Sequence, residues 1–218
     1  MGTGTTLWLI ACATATAALV WAESRHWRLG RAIFKLAAST AFVLLALQLG
    51  ASDTHYGRLV LVALVLSWVG DALLLSARSR IFLFGIGAFL LAHVAFAAAF
   101  AQLPSSRIAL AVGFLAMACV GGIVLRWLWP HLSPFYRVAV SAYVAAIVAM
   151  CSLAIAASPA SGAWALAAGA IAFAASDISV ARDRFVAPGF TNRAWGLPLY
   201  YAAQLVLACS VGSALAMV

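Results

Sequence analysis

The stretch SWVGDALLLSAR, Ser67 to Arg78, sets one carboxylate, Asp71, inside an apolar run long enough to cross a bilayer. A second stretch, AASDISVAR, Ala174 to Arg182, does the same with Asp177. An ionised carboxylate at that depth costs about 2.5–3.5 kcal/mol on insertion scales. The chain bears that cost twice although it has five acidic residues in all. The two aspartates are therefore the first candidates for function.

Composition agrees with a membrane setting. Of 218 residues, 67% are hydrophobic and 8% charged, whereas soluble domains are about 45–50% apolar and about 25% charged. The expected fold class is all-α: a polytopic bundle of eight transmembrane helices in one transmembrane domain, residues 1–218. The runs are Thr5 to Ala22, Ala32 to Leu49, Arg58 to Ser76, Ile81 to Ala101, Ile108 to Leu128, Pro134 to Ala157, Gly162 to Ala181 and Leu197 to Met217. Each approaches the roughly 20 residues a spanning helix needs, and none is read as holding an internal proline. The first run precedes its arginines, the wrong order for a cleaved signal peptide, so it reads as a retained helix.

The net charge of +8 does not point to nucleic acid, because the cations sit in short loops between apolar runs. Eleven of the 13 Lys and Arg residues flank the odd-numbered connections, and two, Arg58 and Arg107, flank the even ones. The positive-inside rule then puts both termini on the non-cytoplasmic side. The four cysteines lie in apolar runs without metal-ligand spacing, which argues against disulfides and metal sites.

Counting back from the basic flanks at 1.5 Å per residue places Asp71 roughly 10 Å and Asp177 roughly 7–8 Å from the inner interface. Lys35, Ser39, Tyr143, Tyr200 and Gln204 reach comparable depth, and His93 lies deeper, about 19 Å from Arg80. A cavity open to the cytoplasm would collect these groups. Each also has a plainer reading. The aspartates could be polar clamps capped by Ser67 or Ser176. Lys35 could snorkel to the interface or contact a phosphate. His93, on a face with Phe89, Phe96 and Phe100, could bond a nearby carbonyl within the core or sit by an acyl-chain wall. Tyr200 and Tyr201 could be interface anchors.

Five motifs, Phe34-Lys35, GDALLL from Gly70, IGAFLLAH ending at His93, Ser176-Asp177 followed by Arg182 and Arg184-Phe185, and YYAAQ from Tyr200, occur in an order that resembles the YhhN/TMEM86 family. Leu36 departs from it, where the family commonly has proline. The resemblance implies a lysoplasmalogenase: a membrane hydrolase that opens the vinyl ether of an alkenyl-glycerophosphoethanolamine or -choline to a fatty aldehyde and a glycerophospho-head group. Asp71 and Asp177 are then the expected acid/base pair, with Asp177 leaning to the water-activating base. Lys35, Ser39, His93, Tyr143, Tyr200, Tyr201 and Gln204 would bind the lysophospholipid. No metal or organic cofactor is called for, and the expected location is a bacterial inner membrane. The main alternative is a proton-coupled carrier that uses the aspartates as a relay; a lipid-binding scaffold without turnover is a third reading.

Overall fold

The computed structural model describes residues 3–76, 78–162 and 164–215. They form eight α-helices: α1 (Thr3–Ser24), α2 (Arg28–Gln48), α3 (His55–Leu73), α4 (Ser79–Phe100), α5 (Arg107–Leu128), α6 (Pro134–Ser161), α7 (Trp164–Ala181) and α8 (Phe190–Leu215). All eight are long and apolar enough to cross a membrane. The end assigned to the eighth run, Met217, lies outside the described residues.

Local chemistry sets the helix ends. Thr54 accepts a hydrogen bond from the Gly57 amide at 2.9 Å, and Ser106 caps α5 through the Ala109 amide at 3.3 Å; both satisfy amides that lack an intrahelical partner. Pro134 opens α6, where its missing N–H is no loss. Gly162, at φ 69°, stops it in a conformation that glycine adopts without strain.

Two expectations need correction here. Helix α8 starts at Phe190, not Leu197, so Pro198 lies inside it, and Pro159 lies near the end of α6. The polar segment Thr191-Asn192-Arg193 read as loop, yet its side chains find partners on α1 and on the end of α7, so the helix continues through it. Helix α7 likewise runs on into a π-helical turn, Arg182–Val186, closed by the Ala187 amide on the Arg182 carbonyl at 2.8 Å.

Sequential helices pair as hairpins: α1 with α2, α3 with α4, α5 with α6 and α7 with α8. The remaining contacts join α2 to α3, α4 to α6, α6 to α7 and α8 to α2 and α3. These neighbours close into a ring of six, α2–α3–α4–α6–α7–α8. Helix α1 covers α2 and α8 from outside, and α5 lies on α6. Large side chains exposed on α5, including Ile108, Leu115 and Ile123, suit contact with lipid.

Candidate active site

Each helix of the ring sends polar side chains inward, and they gather in two groups. The first surrounds Asp71 of α3. Its Oδ2 accepts from Ser39 Oγ at 2.6 Å and from the Tyr200 hydroxyl at 2.8 Å. Its Oδ1 lies 3.2 Å from Lys35 Nζ. Ser39 is one turn after Lys35 on α2, so both face α3. The Tyr201 hydroxyl closes this group, donating to the Lys35 carbonyl at 3.2 Å and lying 3.3 Å from Ser39 Oγ. One turn along, Gln204 Nε2 donates to Ser67 Oγ at 3.3 Å.

The second group surrounds Asp177 of α7. His93 Nε2 of α4 lies 3.2 Å from Asp177 Oδ2, and His93 Nδ1 lies 2.7 Å from the Phe89 carbonyl oxygen. The imidazole stacks on Phe173, with ring centroids 4.3 Å apart, and meets Tyr143 of α6 edge-on at 5.1 Å. The Tyr143 hydroxyl also donates a hydrogen bond to the Asp177 carboxyl.

Aromatic rings join the groups. Tyr200, bonded to Asp71, packs on Phe173 at 5.6 Å and on Phe89 at 5.8 Å. Gly70 makes room for this cluster: a methyl there would stand 2.6 Å from the Phe89 ring. The path Asp71–Tyr200–Phe173–His93–Asp177 thus runs through one shared interior.

Several readings from sequence change. Lys35 turns inward to Asp71 instead of out to the interface and supplies its countercharge. Ser67 and Ser176 do not cap the aspartates; they donate to the carbonyls of Ala63 and Phe173. Tyr200 and Tyr201 are buried, so they are not interface anchors. Phe89, Phe96 and Phe100 are buried as well and fill the core instead of lining an open wall. Asp71, Ser39, His93 and Gln204 are at most 2% exposed, so no wide cytoplasmic cavity surrounds them; the Asp177 and Lys35 side chains, 16% and 12% exposed, are the accessible ones. His93, placed deeper from its own helix start, meets Asp177 because α7 continues through the π-turn. Phe173 was missed, although its place four residues before Asp177 puts both on one helix face.

A third cluster, missed entirely, closes one end of the ring. Glu23 of α1 accepts from Arg31 Nε at 2.7 Å and from Arg193 Nη1 at 3.0 Å. Arg193 also forks onto Asp183 Oδ2 at 3.1 and 3.2 Å. Buried Asn192 accepts from Arg182 and donates to Asp183 Oδ1 and to the Ala187 carbonyl. Arg193 is therefore paired, while Arg184 lies over the Phe82 ring at 4.1 Å. Among the described residues no three His, Cys, Asp or Glu side chains gather as metal ligands.

Comparison with known proteins now identifies the family. Over 174 residues the chain is 35% identical to a Bos taurus protein named Lysoplasmalogenase TMEM86A, covering 77% of this chain and 71% of the relative. The human protein of that name is 36% identical over 157 residues, 69% of this chain and 64% of the relative. A Mycobacterium tuberculosis protein named Lysoplasmalogenase is 36% identical over 180 residues, 78% of this chain and 66% of the relative. The chain thus spans about two thirds of the length of these relatives. No solved structure matches it significantly. Residues 30–211, which include all six ring helices but for the first two residues of α2 and the last four of α8, match the YhhN family, and the chain belongs to it.

Proposed function

We propose that this integral membrane protein hydrolyses the vinyl ether bond of lysoplasmalogens, releasing a fatty aldehyde and a glycerophospho-head group. The relatives' names support the activity. The observation that carries the chemistry is the pair of carboxyls, Asp71 and Asp177, facing one aromatic interior from opposite helices of the ring.

A vinyl ether hydrolyses by protonation of its β-carbon. The carbon–carbon π pair forms the new C–H bond, and the ether oxygen shares a lone pair to give an oxocarbenium ion. Water adds to that cation and loses a proton, and the hemiacetal then divides into aldehyde and alcohol. The slow first step needs a positioned acid, and such groups contribute typically 10²–10⁴-fold. Glycosidases meet a related oxocarbenium ion with two carboxyl groups in distinct roles.

The environments divide those roles here. Asp71 is buried, which disfavours its charge, and one ammonium and two hydroxyl donors work against that cost. It acts as the fixed anion beside the cation. Asp177, which among the described residues has no lysine or arginine paired with it and has more access, is the acid, and once deprotonated it takes the proton from the adding water. This reverses the sequence-based leaning to Asp177 as the resting base. Tyr143, Tyr200 and Phe173 shape the space around the alkenyl ether. The exposed Arg25, Arg28 and Arg182 suit the phosphate of the head group.

We further place the chain as one domain in a bacterial inner membrane, on its alanine-rich composition, with both termini outside on the strength of the arginine distribution. The test is incubation of purified protein with alkenyl and acyl lysophospholipids of both head groups. Free aldehyde from the alkenyl lipids alone supports the reading. Fatty acid from the acyl lipids, or no product from any, rejects it.

A further inference from the structure

His93 Nδ1 faces the Phe89 carbonyl oxygen at 2.7 Å. A carbonyl only accepts, so Nδ1 carries the hydrogen, and Nε2 of a neutral ring is bare. That bare nitrogen lies 3.2 Å from Asp177 Oδ2. Both atoms are buried, and among the described residues neither receives a hydrogen bond from elsewhere. A neutral imidazole against an ionised Asp177 would therefore bury two acceptors face to face, each left unsatisfied at about 1–3 kcal/mol. A single proton between them, on Oδ2 or on Nε2, removes the conflict.

We propose that His93 and Asp177 share one exchangeable proton at neutral pH, and that this shared proton is the one delivered to the vinyl ether. The catalytic half of the inference rests on the hydrolase reading above; the proton itself does not. The titratable groups that face the pair are Tyr143 and Cys151 of α6 and Tyr200 of α8. Among the described residues none of these is a cation, in contrast to Lys35 beside Asp71; the Tyr143 hydroxyl donates to the Asp177 carboxyl but leaves Oδ2 and His93 Nε2 facing each other with no other donor between them. Stacking on Phe173 and the bond to Phe89 fix the ring, so Nε2 keeps its aim. Asp177 touches the reacting carbon; His93 is a positioning residue that holds the proton on it. Delivery leaves a carboxylate and a neutral ring, and the adding water returns the proton.

Infrared spectra of the wild-type protein at pH 7, with Asp177→Asn to assign the carboxyl band, and ¹⁵N-histidine NMR, with His93→Gln to assign the ring, locate the proton without substrate. A protonated Asp177 carboxyl or a doubly protonated His93 supports the proposal. An ionised Asp177 beside a singly protonated His93 in the wild-type protein overturns it. For the catalytic half, His93→Gln is expected to lower kcat at least tenfold and displace its pH profile, with KM little changed. An unaltered kcat and pH profile in that variant would overturn that half. Wild-type protein that holds the proton but cleaves no lysoplasmalogen would reject the hydrolase reading and leave the proton assignment standing.

Discussion

At the residue scale, the site depends on different company for two identical side chains. Asp71→Asn and Asp177→Asn are each expected to reduce aldehyde release by about 10²–10⁴-fold, measured as initial rates in detergent. Lys35→Met tests the pairing at Asp71. It strands a buried carboxylate, so thermal unfolding should reveal a loss of about 3–5 kcal/mol. Adding Asp71→Asn to Lys35→Met should restore much of that loss, since the pair acts as a unit; an additive second loss would mean that the two do not interact. The aspartates were legible in sequence because charge inside an apolar run is rare. Their partners were not, since depth counting ranks residues along one helix and says nothing about which face meets which neighbour. Lys35 and Ser39 share Asp71 through a rotation of α2 that composition does not encode.

At the element scale, Gly70 and the end of α7 matter most. Gly70→Ala places a methyl 2.6 Å from the Phe89 ring, and Phe89 carries both the His93 carbonyl contact and the packing on Tyr200. Overpacking of this kind costs about 1–3 kcal/mol, so this variant should unfold at lower temperature and lose activity together. Glu23→Gln weakens a contact shared by Arg31 and Arg193. It should destabilise the bundle, read by thermal unfolding, while aldehyde release per folded molecule stays near wild type. The eight runs were readable from hydropathy. The start of α8 was not, because the polar Thr191-Asn192-Arg193 segment and Pro198 both resemble a helix boundary until Glu23, Arg182 and Asp183 supply partners from distant sequence.

At the scale of the whole molecule, a closed ring of six helices brings to one interior a lysine, a serine, two aspartates, a histidine and three tyrosines that are scattered from Lys35 to Tyr201 in sequence. A shared polar layer was expected from counting along the helices; its division into an Asp71 half and an Asp177 half joined by Phe173 arose only from packing. Orientation has its own check: cysteines introduced at Arg184 and at Ser105 should be labelled from the cytoplasmic and the outer side respectively in oriented vesicles, and the reverse pattern would reject the assigned topology. The central claim is that a proton is placed on the β-carbon of the vinyl ether. Lysoplasmalogen cleaved in D₂O, with the aldehyde trapped at once by borohydride and examined by mass spectrometry, should carry one deuterium on the carbon next to the former carbonyl; aldehyde released without it would contradict the account.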